Sequence, residues 1–279
     1  MPAPTEWKTG WDAEHPLRIR TTFTGRDDGE WAPGLRNGVQ YRDLGLAPAT
    51  DGKMGALHIR LTEEADREAD WHFHDVDMQW FYVLKGSITI RSEDGREVTL
   101  TAGDSAYHPP CWRHQEFDAS SDYEAIEITA PANPETVHGK DAPKPAHADQ
   151  FAHLEAVYNH DRPENYVRGD GPRSYVSYRD LQTRKPTDGR VHIHVIKVGD
   201  EPQPAGGTGD HTHSMAQFFM PLKGWIELTA EGQPDRRCLP GVFYMIDSET
   251  VHNAVSASDD YMTLEMCVPA DYDTVPVAA

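Results

Sequence analysis

The chain has 279 residues, 38% of them hydrophobic and 26% charged, which is enough apolar material for packed cores and excludes wholesale disorder. Acidic residues number 46 against 26 basic ones, a formal net charge of −20. Such a surface repels nucleic acid and anionic membranes, so neither is expected as a partner. The three cysteines, Cys111, Cys238 and Cys267, include no Cys-x-x-Cys pair, which excludes a disulfide framework and a thiolate zinc site. No apolar run approaches the roughly 20 residues of a membrane helix, and the first residues hold no signal-peptide core. The expectation is a soluble cytoplasmic protein, with a small-molecule substrate as partner and homo-oligomerisation left open.

Taken in chain order, residues 1–36 form an N-terminal arm whose Trp7, Trp11 and Trp31 are expected to anchor it against a barrel. From residue 37 the chain reads as short strands broken by turns. Ala56–Leu61, Trp80–Leu84 and Ser87–Ile90 are β-rich runs, and Glu93-Asp94-Gly95 and Ala102-Gly103-Asp104 are turns. Residues 132–173, rich in Pro, His, Asp and Ala, read as a linker with one short helix around Asp149–Tyr158. Strand signals resume after it, as in Val191–Ile196.

The second half repeats the first. Tyr41-Arg42-Asp43-Leu44 recurs 137 residues on as Tyr178-Arg179-Asp180-Leu181. Leu84-Lys85-Gly86 recurs 138 residues on as Leu222-Lys223-Gly224, and Gly103, Tyr123, Glu127 and Pro131 match Gly241, Tyr261, Glu265 and Pro269. An offset this constant marks duplication. The expected layout is the arm 1–36, one barrel over 37–131, the linker 132–173 and a second barrel over 174–279. Many short, turn-bounded strands with no long helical period predict an all-β chain of two similar barrels.

Histidine is abundant, at 15 residues. The first repeat holds His72-Phe73-His74, then Gln79 and His114; the second holds His211-Thr212-His213, then Gln217 and His252. Residues two apart in a strand share a face, so each His-x-His pair aims two imidazoles at one point. A third histidine from a distant strand closes a three-nitrogen face suited to Fe, Zn, Ni or Cu. A lone histidine is more often a satisfied polar residue than a ligand, but three at metal spacing, duplicated, reverse that weighting. The expected metal set is His72, His74, Gln79 and His114, with His211, His213, Gln217 and His252, one divalent transition ion per barrel. His58, His108, His192, His194 and the linker histidines are not fully duplicated and read as packing or surface residues, although His192 and His194 share a face.

These spacings resemble the cupin superfamily. His-x-His, three or four residues, a carboxylate, six residues and Gly is its first motif; Gly, five residues, Pro-x-Gly, two residues and His is its second. The first repeat fits the second motif as Gly103, Pro109, Cys111 in place of Gly, and His114. The second fits more loosely, with Gly241, Asp247, Glu249 and His252. The resemblance covers both repeats and looks like the bicupin branch, which implies two double-stranded β-helix (jelly-roll) barrels, each with a metal in its mouth. Both repeats carry Gln where the family usually has Glu. A neutral amide leaves the ion its full charge and is a weaker ligand, which departs from the pattern of manganese oxalate decarboxylases.

Alternation places Gln79, Phe81 and Val83, and likewise Gln217, Phe219 and Pro221, on the inner faces, which predicts apolar cavities fit for an aromatic or apolar substrate. The leading expectation is a non-haem iron dioxygenase acting on an enol, phenol or diketone, with Fe as the metal and Mn, Zn or Ni as others the ligands suit. A non-redox Zn- or Ni-dependent cyclase, isomerase or lyase is the alternative, and a small-ligand binding protein ranks third. Glu116, two residues past His114, is the candidate catalytic acid–base; Ala254 stands at its counterpart.

Overall fold

The structure is a computed structural model that describes residues 7–11, 15–62, 68–199 and 201–277. It is built almost wholly from antiparallel strands, with one four-residue α-helix at Leu46–Ala49 and three short 3-10 turns among the described residues. Two compact units form: Met1–Gly10 with Gly29–Asp161, and Trp11–Asp28 with Arg162–Ala279.

Each unit is a pair of sheets, one of seven strands and one of five. In the first unit Met78–Lys85 lies inside the seven-stranded sheet, between Ser105–His108 and the central strand Glu124–Ala130, and Gly55–Leu61 follows beyond the latter. The five-stranded sheet places His114–Phe117 between His72–Asp75 and Ser87–Ser92. The second unit repeats this plan: Ala216–Lys223 is flanked by Phe243–Ile246 and Met262–Val268, and His252–Ala257 by His211–His213 and Ile226–Ala230. Matching cores fill the two units. Phe81, Val83, Ile88, Ile90 and Leu100 cluster in the first; Ile226, Leu228, Tyr244, Ile246 and Tyr261 cluster in the second. Their positions alternate along strands, as one buried face per strand requires.

The arm and the linker do more than anchor and connect. Thr22–Thr24 pairs with Phe243–Ile246 in the second unit, whereas Ala32–Pro33 pairs with Val39–Asp43 in the first. Within 132–173, Glu135–His138 pairs with His72–Asp75, and Val157–Asn159 pairs with Ser105–His108. A sheet edge offers unpaired N–H and C=O groups, and an extended segment nearby satisfies them. The same pull changes the expected helix. A 3-10 turn covers Ala146–Phe151, but Val157 and Tyr158, both strong strand formers, lie in an edge strand. Trp7 packs on Phe151, and Trp11 is buried under the Arg190 guanidinium, 4.3 Å from the ring.

Candidate metal centres

In the first unit His114 stands directly opposite His72 on the neighbouring strand, and His74 shares the face of His72. The ring centroids of His72 lie 4.9 Å from His74 and 4.5 Å from His114. In the second unit His252 stands opposite His211, with centroids 4.4 Å apart and His211–His213 at 4.8 Å. In each trio the nitrogens available to a metal lie within 4.8 Å of one another. The expected histidines therefore converge in both units.

The ring orientations are fixed from outside. His72 Nδ1 donates to the Asp70 carbonyl at 2.8 Å and His114 Nδ1 to the Trp112 carbonyl at 2.9 Å. His211 and His252 do the same to the carbonyls of Gly209 and Thr250, at 2.7 and 2.9 Å. The Nδ1 atoms of His74 and His213 each meet a threonine hydroxyl, Thr136 and Thr274, at 2.9 Å. A carbonyl accepts only, so Nδ1 holds the proton and Nε2 keeps its lone pair for the common point. This shell of partners is what metal-ligating imidazoles require. His114 Nε2 is buried with no hydrogen bond of its own, and Gln217 Oε1 is likewise buried without a partner. The donor sets fit a divalent transition ion in each unit.

A shared turn sets the third histidine. Cys111 and Glu249, the positions where the second motif usually has Gly, both adopt positive φ, 57° and 64°. Their N–H groups donate to the carbonyls of His74 and His213, at 3.0 and 2.8 Å. The left-handed turn thus persists without glycine and ties the second histidine's strand to the approach of the third.

Burial keeps most of these rings neutral. It is the main influence pushing His74 down to about 3 and His213 and His252 to about 4, with the neighbouring imidazoles adding to it. His114 goes the other way: burial lowers it, but the facing Glu116 carboxylate outweighs burial and raises it. Burial would raise Glu116, yet His72 and His114 hold it well below the usual carboxylate range. Glu116 Oε1 lies 3.2 Å from His114 Nε2 and 3.8 Å from His72 Nε2.

The glutamines sit beside each trio with their amides engaged. Gln79 Nε2 donates to Glu127 at 2.7 Å, and Gln79 Oε1 accepts from His108 Nδ1 at 3.2 Å. Gln217 Nε2 donates to Glu265, which also pairs with His194 Nε2. His108 and His194, read from sequence as packing residues, therefore back the polar groups beside each trio, and His138 from the linker lines the first cavity. Glu127 and Glu265 were legible only as a matched pair in the repeat; a carboxylate kept in the middle of a buried strand was the signal.

The cavities differ. The first encloses about 550 Å³ and opens onto His72, His74 and Gln79. Its wall is not apolar as expected: Arg36, Glu68, Asp70, Glu116 and Glu127 all reach it. Alternation along the glutamine strand could not reveal these groups, because they come from other strands and loops. The second cavity, about 90 Å³, is mainly apolar and aromatic, with Tyr175, Phe219 and Tyr244 beside His211, His213 and His252. A third grouping, Asp75, Cys111 and His147, is an ion-pair cluster: Asp75 accepts from His147 and holds the Lys8 ammonium.

Residues 60–126 match the cupin domain family model. Among solved structures, oxalate decarboxylase from Bacillus subtilis at pH 4.6 superposes with a TM-score of 0.60 at 14% identity, covering 97% of this chain and 80% of that one. The Lactobacillus farciminis oxalate decarboxylase formate complex gives 0.63 at 13% identity, covering 93% and 89%. No curated protein matches the sequence. At such identities the likeness is one of fold: the chain folds as two tandem barrels of the cupin type, each with its own histidine trio.

Proposed function

We propose that the protein is a metal-dependent enzyme that carries out a non-redox, lyase-type reaction in its first barrel, and that the second barrel's centre is structural. The observation that carries this reading is the pair of cavities. About 550 Å³ opens onto His72 and His74 of the first trio, a volume typical of small-molecule sites, against about 90 Å³ at the second.

The wall chemistry favours the non-redox alternative over the oxygenase that the sequence put first. An apolar phenol or diketone needs apolar walls, whereas here four carboxylates and one guanidinium line the space. Such a wall accepts hydrogen bonds from hydroxyls and disfavours a dianion. The substrate class it fits is a neutral or singly charged hydroxy-carbonyl compound, with Arg36 able to take one anionic or carbonyl oxygen. The likeness to oxalate decarboxylases supports a lyase, but the cavity is much larger than a two-carbon acid fills. His72, His74 and His114 would hold the ion, which when bound supplies Lewis acidity towards a substrate oxygen. The chain's own groups do the rest. Thr136 and the Asp70 and Trp112 carbonyls hold the rings in place, and Glu116 stands at the metal face where the second barrel has Ala254.

The test follows product formation by NMR over a panel of hydroxy-keto compounds and hydroxy acids, with metal-loaded protein in an oxygen electrode. Turnover that persists without oxygen supports the lyase reading. Stoichiometric oxygen uptake returns the protein to the dioxygenase class.

A further inference from the structure

We propose that Glu116 is a ligand of the first barrel's metal, so that this centre takes its carboxylate from the strand of the third histidine and not from the Gln79 position. The proposal rests on the first trio being a metal centre, not on the reaction class. It moves Glu116 from acid–base residue, the role its sequence position suggested, to ligand.

The placement starts in the sequence. His114 and Glu116 are two apart in the strand His114–Phe117, so they share a face, as His72 and His74 do on the strand alongside. Four metal-competent side chains therefore point inward from two adjacent strands. Ligands bound about 2.1 Å from one ion stand roughly 3.0–3.6 Å apart when they subtend 90–120° and about 4.2 Å apart when opposed. Glu116 Oε1 lies 3.2 Å from His114 Nε2 and 3.8 Å from His72 Nε2, within that range for these two rings; the three histidines close to within 4.8 Å of one another without it, so joining them at one ion takes a side-chain rotation of Glu116.

The hydrogen bonds point the same way. His72 and His114 commit their Nδ1 atoms to backbone carbonyls, so the Nε2 atoms of both rings face Glu116. A carboxylate packed against two imidazole nitrogens calls for positive charge between them, and a metal ion there satisfies all three groups at once. Among the described residues the ion-pair neighbours of Glu116 are these two imidazoles, and the Arg36 guanidinium acts on it from farther along the cavity wall. Gln79, by contrast, has both ends of its amide committed, to Glu127 and to His108. In the second barrel the arrangement inverts. Ala254 occupies the Glu116 position, and Gln217 Oε1 is buried without a partner, available to its ion. The two centres thus differ by one full charge.

Cobalt(II) alone is the probe, titrated into the full chain with His211→Ala and His213→Ala so that only the first centre responds. Affinity is read by calorimetry and coordination by the visible spectrum. In that background Glu116→Ala and Glu116→Gln are each expected to weaken cobalt binding by at least about tenfold and to change the spectrum, and added acetate restores the spectrum of Glu116→Ala. Gln79→Ala stays within about threefold. Wild-type affinity in Glu116→Gln, or a loss in Gln79→Ala that exceeds the loss in Glu116→Ala, overturns the proposal. A separate control is His114→Ala: if it binds cobalt as well as its parent, the first trio is no metal centre and the underlying reading fails instead.

Discussion

Tyr244 and Ala106 occupy the same place in the two units, each facing the phenylalanine of the glutamine strand: Phe219 opposite Tyr244, Phe81 opposite Ala106. In the second unit the two rings stack at 4.8 Å, with Phe23 stacked on the far side of Tyr244 at 5.5 Å. Tyr175 closes in as well, and little space is left by the three histidines. The first unit has the small side chain there and keeps its roomy, carboxylate-lined cavity. On the reading proposed above, a duplicated histidine trio therefore does not carry a duplicated activity. The imidazoles and their outer partners are kept in both copies, while the space that a substrate needs is kept in one.

The largest expected effect breaks this comparison at the ligands. His114→Ala should lower turnover by more than about a hundredfold, while His252→Ala should lower it by less than about threefold, although each costs one metal ion. Metal content and steady-state rates on the two variants check this. Equal losses of turnover would show that the second barrel also reacts.

A second contrast lies beneath the glutamines. Glu265 stands opposite His194, whereas its counterpart Glu127 stands opposite Leu57. Burial would raise both carboxyls. In the second unit His194 and the Gln217 amide overcome burial and bring Glu265 down to about 2. In the first, burial and the nearby Glu116 prevail, and Glu127 is raised. Replacing His194 by Leu should leave Glu265 buried and unpaired, at a cost of about 3–5 kcal/mol in chemical unfolding. A loss below about 1 kcal/mol would mean that the pair does not hold the second unit together.

Tyr244→Ala comes next. Removing a fully buried ring stacked on two others should destabilise the protein by about 3 kcal/mol, read from the denaturation midpoint, and should open the second cavity. If the variant loses little stability, the narrowness of that cavity does not depend on this ring.

The repeat offset, the His-x-His spacing and the alternation of Gln79 and Phe81 made the barrels and both trios legible in the sequence, since each depends on period-two geometry along one strand. Other features depend on which strands lie side by side. Glu116 was visible as a neighbour of His114, but its approach to His72 required the pairing of two strands distant in sequence. The acidic wall of the first cavity was hidden for the same reason, as were the edge strands formed from the arm and linker. His194 looked like packing because its counterpart is Leu57, and the absence of duplication concealed its partnership with Glu265.

The smallest effect tests the carboxyl contrast through pH. Glu127 is raised in the folded chain, so its contribution to stability is fully present below the unfolded value of about 4.3 and is lost as pH rises through the folded value. At neutral pH it is therefore a burden, and Glu127→Gln should stabilise the metal-free protein while still accepting the Gln79 hydrogen bond. The gain should be on the order of 1 kcal/mol at pH 7 and vanish below about pH 4, because the cavity partly hydrates the group. Glu265 has the opposite sign: its contribution is present above about 4.3 and is lost as pH falls towards 2, so Glu265→Gln should destabilise at pH 7. Metal-free protein is needed because a bound cation lowers nearby carboxyls. Urea unfolding of both variants between pH 4 and 8 checks the pair. Changes of the same sign would show that Leu57 and His194 do not set the difference between the two barrels.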